Sequence, residues 1–250
     1  MSNYLESLSC FDDPEFKFNP KLHRYTYKGK PMISATTFIS EFYKKFEQDY
    51  WSKKKADDRG ITQKEILIEW QALNDYANDV GSQTHEWIEN YFNRIYQELP
   101  TNTDVIHRIN KFNKVFATHL HKLEPIVMEK RVFSKKYPLA GTIDSLFSWK
   151  GKLIIVDYKT NKKWTDDTNT RWDKLLTPFE DYYDNQHSKY SIQISLYATI
   201  LREWGFDVAG GYLLYIGPDD EDAKLIKCHN LVQTIEEFLP TYNNWDNIIK

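Results

Sequence analysis

Apolar and polar positions follow two rhythms along this chain, and the change of rhythm divides it. Arg24 to Ser34, RYTYKGKPMIS, alternates on both sides of Lys28-Gly29 and predicts a β-hairpin. Ser34 or Thr36 is placed to cap a helix running to about Phe46. Residues 1–20 are polar and read as loop. Thr62 to Val80 has helical character, and Gly81 interrupts it. Ile88, Tyr91, Phe92 and Ile95 then mark a second helix, from Ser82 to about Gln97. Thr103 and Asp104 open another, to about Leu123, and Pro125 marks a break. Period two follows: Ile126 to Ser134, Tyr137 to Trp149 and Lys152 to Lys159 read as strands. The unbroken apolar run Leu153 to Val156 is that of a central strand covered on both faces. Asn161 to Ser188 is polar and aromatic without a period, the kind of long segment that is often functional. A helix (Lys189 to Trp204), two strands (Val208 to Gly217 and Ala223 to His229) and a terminal helix (Leu231 to Ile249) complete the chain. Strands, a helix and more strands over one sheet make a mixed α/β core, with the N-terminal half supplying helices around it.

Chemistry concentrates between Leu139 and Thr160. With Lys150-Gly151 as a two-residue turn, Trp149 pairs with Lys152, and the same register sets Asp144 opposite Asp157. Directly opposed residues lie roughly 5 Å apart, and like charges there repel unless a cation sits between them. Lys159 is two residues beyond Asp157 and shares its face. Two carboxylates and an ammonium beside a metal ion suit phosphodiester cleavage. The bland alternative is a pair of strand-end acids in surface ion pairs, but a charge ending a buried strand is costly unless paired or metal-bound.

Other candidates surround this pair. His85 shares the core-facing side of its helix with Ile88 and Phe92; it reads as a buried core histidine or as a metal ligand reaching the aspartates, with Glu89 one turn on as the second candidate. The stretch His85-Glu86-Trp87-Ile88-Glu89 looks like a zinc-protease H-E-x-x-H motif lacking its second histidine, which argues against that chemistry. Glu129 is a supporting residue on the preceding strand. Gln193 and Tyr197 share a face of a helix so apolar that the glutamine needs a partner, in the core or at the site. Lys53, Lys54, Lys55 and Arg59 offer phosphate contacts, although such a charge run is more often a solvated helix face.

Composition narrows the classes. A formal charge of −3 excludes a generally basic nucleic-acid binder but permits a local basic groove. Two cysteines, Cys10 and Cys228, are too few for an iron–sulfur cluster or a cysteine zinc site and suggest a reducing, cytoplasmic compartment. No apolar run is long enough to span a bilayer, and no P-loop signals nucleotide binding.

Taken in order, G-x-x-x-H (Gly81 to His85), G-x-x-D (Gly141 to Asp144), D-x-K (Asp157 to Lys159) and Q-x-x-x-Y (Gln193 to Tyr197) resemble the PD-(D/E)xK nuclease superfamily, in particular its RecB-like, phage-type exonuclease branch, which includes the mitochondrial genome maintenance exonuclease. The resemblance covers about Gly81 to Ile216. It implies a restriction-endonuclease-like core, a central mixed sheet flanked by helices, over residues 81–250, with 1–80 as an N-terminal hairpin and helices packed on it. It implies Mg²⁺ or Mn²⁺ held by His85, Asp144, Asp157 and the carbonyl of Tyr158. Lys159 would activate the attacking water, its pKa lowered by the metal, with Gln193 and Tyr197 in support. The implied partner is DNA, single-stranded or with free ends, together with a replication or recombination protein; Lys162, Lys163, Arg171 and Lys174 follow the D-x-K strand and are placed to grip its backbone, with Trp164 and Trp172 to stack on unpaired bases. The resulting expectation is a metal-dependent DNA exonuclease, with a structure-selective or restriction-like endonuclease, or a non-cleaving DNA-binding protein on the same fold, as the alternatives.

Overall fold

The computed structural model describes residues 4–168, 173–219 and 221–249. Eight strands form one mixed sheet: β1 (Phe16–Asn19), β2 (Arg24–Tyr27), β3 (Lys30–Ser34), β4 (Glu124–Phe133), β5 (Leu139–Trp149), β6 (Lys152–Lys159), β7 (Val208–Tyr215) and β8 (Lys224–Lys227). The helices are α1 (Tyr4–Leu8), α2 (Ala35–Ile39), α3 (Gln48–Arg59), α4 (Gln63–Phe92), α5 (Thr103–Thr118), α6 (Gln186–Glu203), α7 (Val232–Phe238) and α8 (Trp245–Ile248). The chain is therefore α/β, with a mixed central sheet and flanking helices.

Strand β5 organises the sheet. Along one edge it pairs with β4. Along the other it pairs in parallel with β3 at Leu139 and Ala140, and antiparallel with β6 from Ser145 to Trp149. Between those two partners, Gly141 to Asp144 have no ladder neighbour on that edge. β6 runs on past β5 and pairs in parallel with β7, as far as Lys159 opposite Tyr215. β5 and β6 thus part at Asp144 and Asp157. The turn that joins them is the expected one, with Lys150 at φ 50° and Gly151 at φ 75°.

Alternation along β6 sorts its side chains. Leu153 and Ile155 face α6 and pack with Ile192, Leu196 and Ile200. Ile154, Val156 and Tyr158 face α4 and α5 and pack with Ile88, Phe112 and Val115. Each fully buried side chain of this size stabilises the fold by about 1.5–3 kcal/mol relative to exposure. Both faces are covered, which is why the run reads as apolar throughout.

The helix expected to break at Gly81 does not. Thr62 and Glu65 form a capping box, and α4 continues from Gln63 to Phe92. A mid-helix glycine costs about 1 kcal/mol, and here it has a purpose: a Cβ at Gly81 would lie 3.0 Å from Thr160 Oγ1, just beyond the end of β6. The boundary expected at residue 80 falls inside this helix. The N-terminal segment expected to be loop forms α1 and β1, with Leu8 and Phe11 buried. The charged stretch is helix α3, closed by Gly60 at φ 66°. In it Lys53 pairs with Asp49 and Arg59 makes two bonds to Glu69, so the solvated-face reading suits these two. Pro125 lies inside β4, on an edge strand where its missing N–H is tolerated. The expected terminal helix is split, because Pro240 starts a 3₁₀ turn between α7 and α8. Among the described residues, no helix is long and apolar enough to cross a membrane.

Candidate metal centre

The unpaired edge of β5 borders a cavity of about 850 Å³. Four acids line it: Glu86 and Glu89 from α4, Glu129 from β4 and Asp144 from β5. His85, Gln193 and Tyr197 complete the wall, with Arg131 and Thr160. His85, Glu129 and Asp144 each offer one ligand atom, all within 4.8 Å of one another.

Each member of this trio is positioned by its element. Asp144 Oδ2 accepts the Tyr158 N–H at 2.8 Å, a contact possible only because the two strands part there. His85 Nδ1 lies 3.5 Å from the same oxygen. The Tyr158 ring stands edge-on to His85 at 5.6 Å and props it from the core side. Glu129 is in the left-handed region at φ 49° in the middle of β4. That conformation costs on the order of 1–3 kcal/mol for a residue with a side chain.

The electrostatics fit a cation. Glu129 is exposed to solvent on one side; partial desolvation by the cavity wall, and then the charges of Asp144, Glu89 and Asp157, push its carboxyl up to about 8. One imidazole nitrogen and two carboxylates form a donor set for Mg²⁺ or Mn²⁺. A divalent ion would counter both the desolvation and the repulsion that raise the pKa of Glu129.

Asp157 does not join the trio. It is 2% exposed, and its Oδ2 lies 2.6 Å from Lys159 Nζ. Burial raises its pKa, and Lys159 offsets part of the rise. The expected facing pair is therefore one register step beyond the last ladder pair, Ser145 with Val156, and its carboxylates turn to different partners. Burial alone would lower the pKa of Lys159, but Asp157 and Asp144 outweigh it and hold the ammonium above its usual value. Lys159 Nζ donates to Gln193 Oε1 at 3.3 Å, and Gln193 Nε2 donates to Tyr197 Oη at 3.2 Å. The glutamine's partners are thus at the site. Tyr158 enters by its N–H and ring. Glu89 lines the cavity outside the trio.

Two contributors went unread in the sequence. Arg131 lines the cavity, and its place two residues after Glu129 was the available signal. Tyr190 lies one helical turn before Gln193, and Lys159 Nζ sits 4.3 Å from its ring centre.

The proposed DNA contacts fare unevenly. Lys162 and Lys163 are exposed just after β6. Trp164 is half-buried against Tyr215, and its Nε1 donates to Asp166. Lys174 donates to the Asp181 carbonyl and covers the Tyr183 ring. Arg171 and Trp172 lie outside the described residues.

No protein-family model matches the chain, and no curated protein matches it. Among solved structures it is similar to the crystal structure of SSO0001, at 15% identity and a TM-score of 0.26, over 66% of this chain and 71% of that one. A likeness of that size says nothing about activity.

Two outcomes follow from the geometry. A Cβ on Gly141 would come within 2.5 Å of the Tyr197 ring. Gly141→Ala is expected to lower stability by about 1–3 kcal/mol, as overpacking does; urea melts of the two proteins check it. Glu129 binds its proton more tightly folded, to about pH 8, than unfolded, where glutamate titrates near its ordinary value. Its contribution to stability is therefore greatest at low pH and is lost as pH rises through that window. In EDTA, Glu129→Gln should flatten the fall in melting temperature between pH 5 and 8.5, measured by thermal unfolding.

Proposed function

We propose that this chain is a divalent-metal-dependent phosphodiesterase that cuts DNA from an end, built on a restriction-endonuclease-like core. The observation that carries the reading is the convergence of His85, Glu129 and Asp144 at the open edge of β5, beside the Lys159–Asp157 pair. A cavity lined by four acids repels phosphate unless a cation is bound there. When bound, Mg²⁺ or Mn²⁺ polarises a phosphate and lowers the pKa of a water ligand. The chain supplies the rest. His85, Glu129 and Asp144 are the ligands. Lys159, kept cationic by Asp157, presents positive charge where phosphorus becomes pentacovalent. Gln193 and Tyr190 fix its position. Lys162 and Lys163 offer phosphate contacts at the end of β6. The order of the elements adds support: histidine helix, Asp144 strand, D-x-K strand and Q-x-x-x-Y helix are those of the resemblance.

The test is a cleavage assay with Mg²⁺, Mn²⁺ or EDTA on linear, circular and single-stranded DNA. Metal-dependent loss of linear but not circular DNA is the expected result. Cutting of circles would make the protein an endonuclease. Binding without cutting under either metal would make it a DNA-binding protein on this fold.

A further inference from the structure

We infer that the outer face of the β1–β2 hairpin is the track along which a single strand of nucleic acid enters or leaves the cavity. The inference rests on the nuclease reading and names its substrate surface. Residues 16–40 contain Lys17, Lys21, Arg24, Lys28 and Lys30 and no aspartate or glutamate, in a chain whose formal charge is −3. The segregation is one of faces as well as sequence. Lys17 is opposite Thr26, and Asn19 is opposite Arg24. These four side chains therefore share one face of the hairpin. The other face carries Phe16, Phe18, Tyr25 and Tyr27, packed on the core. Lys21 stands at the connecting turn. Lys17, Lys21 and Arg24 are all exposed. Among the described residues, none of the three forms an ion pair with a carboxylate. Like charges gathered on one hairpin face repel, and a polyanion relieves that repulsion.

The face leads to the metal centre. Lys17, Lys21 and Arg24 line a groove of about 580 Å³. Phe18 and Pro20 line both that groove and the acid cavity, so the two adjoin. Arg131, at the cavity wall, lies 5.0 Å over the Phe18 ring and carries the positive surface across the junction. A basic strip ending at an acidic, metal-holding pocket separates the two tasks: the strip holds phosphates along the strand, and the pocket engages one of them. The shape suits a flexible strand of several nucleotides rather than a mononucleotide, whose single phosphate would leave the hairpin cations unused.

The test is fluorescence anisotropy with a labelled single-stranded oligonucleotide, in EDTA so that no cutting occurs, at several salt concentrations. Each phosphate contact on a single strand contributes about 0.7 to the slope of log K against log[salt]. The charge-neutralised variant Lys17→Gln/Lys21→Gln/Arg24→Gln should bind at least about tenfold more weakly, with a slope shallower by about 2. Neutralising Lys122, Lys150 and Lys227 instead should leave the slope unchanged. Thermal unfolding of each variant guards against a folding defect, and single substitutions at Lys17 or Arg24 replace the triple variant if it unfolds. Wild-type affinity and slope in the hairpin variant would overturn the track while leaving the nuclease reading intact. Loss of binding in that variant, with a wild type that binds but cuts under neither Mg²⁺ nor Mn²⁺, would retain the track and overturn the nuclease. A wild type that neither binds nor cuts overturns both.

Discussion

Asp144→Asn is expected to reduce metal-dependent DNA cleavage by more than about a thousandfold, equivalent to roughly 4 kcal/mol in the barrier, while leaving the fold intact. Asp144 has two roles, and the substitution separates them. As an acceptor it closes the fork between β5 and β6 by taking the Tyr158 N–H. An asparagine oxygen can do the same. As a charge it completes the group with His85 and Glu129, which an amide does not. Removing one acid from a cluster of acids also relieves repulsion, so in EDTA the variant should melt no lower than wild type. Cleavage rates with Mg²⁺ or Mn²⁺, and melting curves in EDTA, read the two roles independently. An active Asp144→Asn protein would remove this residue from the metal centre.

Lys159→Met is expected to destabilise the protein as well as inactivate it. Asp157 is 2% exposed, and Lys159 is the cation beside it. Removing one partner of a buried ion pair costs about 3–5 kcal/mol, because the other charge is left without compensation. Asp157 can escape that penalty only by keeping its proton. Burial already raises its pKa, and loss of the ammonium raises it further. The folded variant then holds a proton that the unfolded chain releases near the ordinary aspartate value, so the defect grows as pH rises and fades toward pH 4. Urea melts at pH 5 and pH 8 measure the difference. The double variant Asp157→Asn/Lys159→Met removes both charges of this pair and should regain most of the stability at pH 8, with no recovery of cleavage. Equal stability of wild type and Lys159→Met at pH 8 would mean that the pair is not closed as described.

The parts of this fold that follow local rules were legible in the sequence. The Lys28-Gly29 and Lys150-Gly151 turns, the bounds of β6 and the Thr62 helix start each follow from turn chemistry, alternation or capping within a few residues. The errors arose where distant residues override local preference. Gly81 is a helix breaker by propensity, yet α4 runs through it, and the glycine leaves room for Thr160 where a Cβ would crowd it. At the site, the register correctly brought Asp144 and Asp157 to the same step, but register does not say where a ladder ends. It ends one pair short of them, so Asp144 turns to Tyr158 and His85 while Asp157 turns to Lys159. Glu129 took only a supporting part because alternation left it two choices, the site or a surface ion pair; the β4–β5 register, Met128 with Ser145 and Lys130 with Ile143, sets it at the step of Asp144.

Calorimetric titration of the intact chain with Mn²⁺ probes the metal centre most directly, since it requires neither substrate nor cleavage. Binding at His85, Glu129 and Asp144 predicts a saturable isotherm for the wild type that is lost or severely weakened in Asp144→Asn, clearly weakened in Glu129→Gln and unchanged in a distant surface variant such as Lys122→Gln. A wild type that takes up no Mn²⁺, or an Asp144→Asn protein that takes it up equally well, would contradict the metal centre and with it the proposed activity.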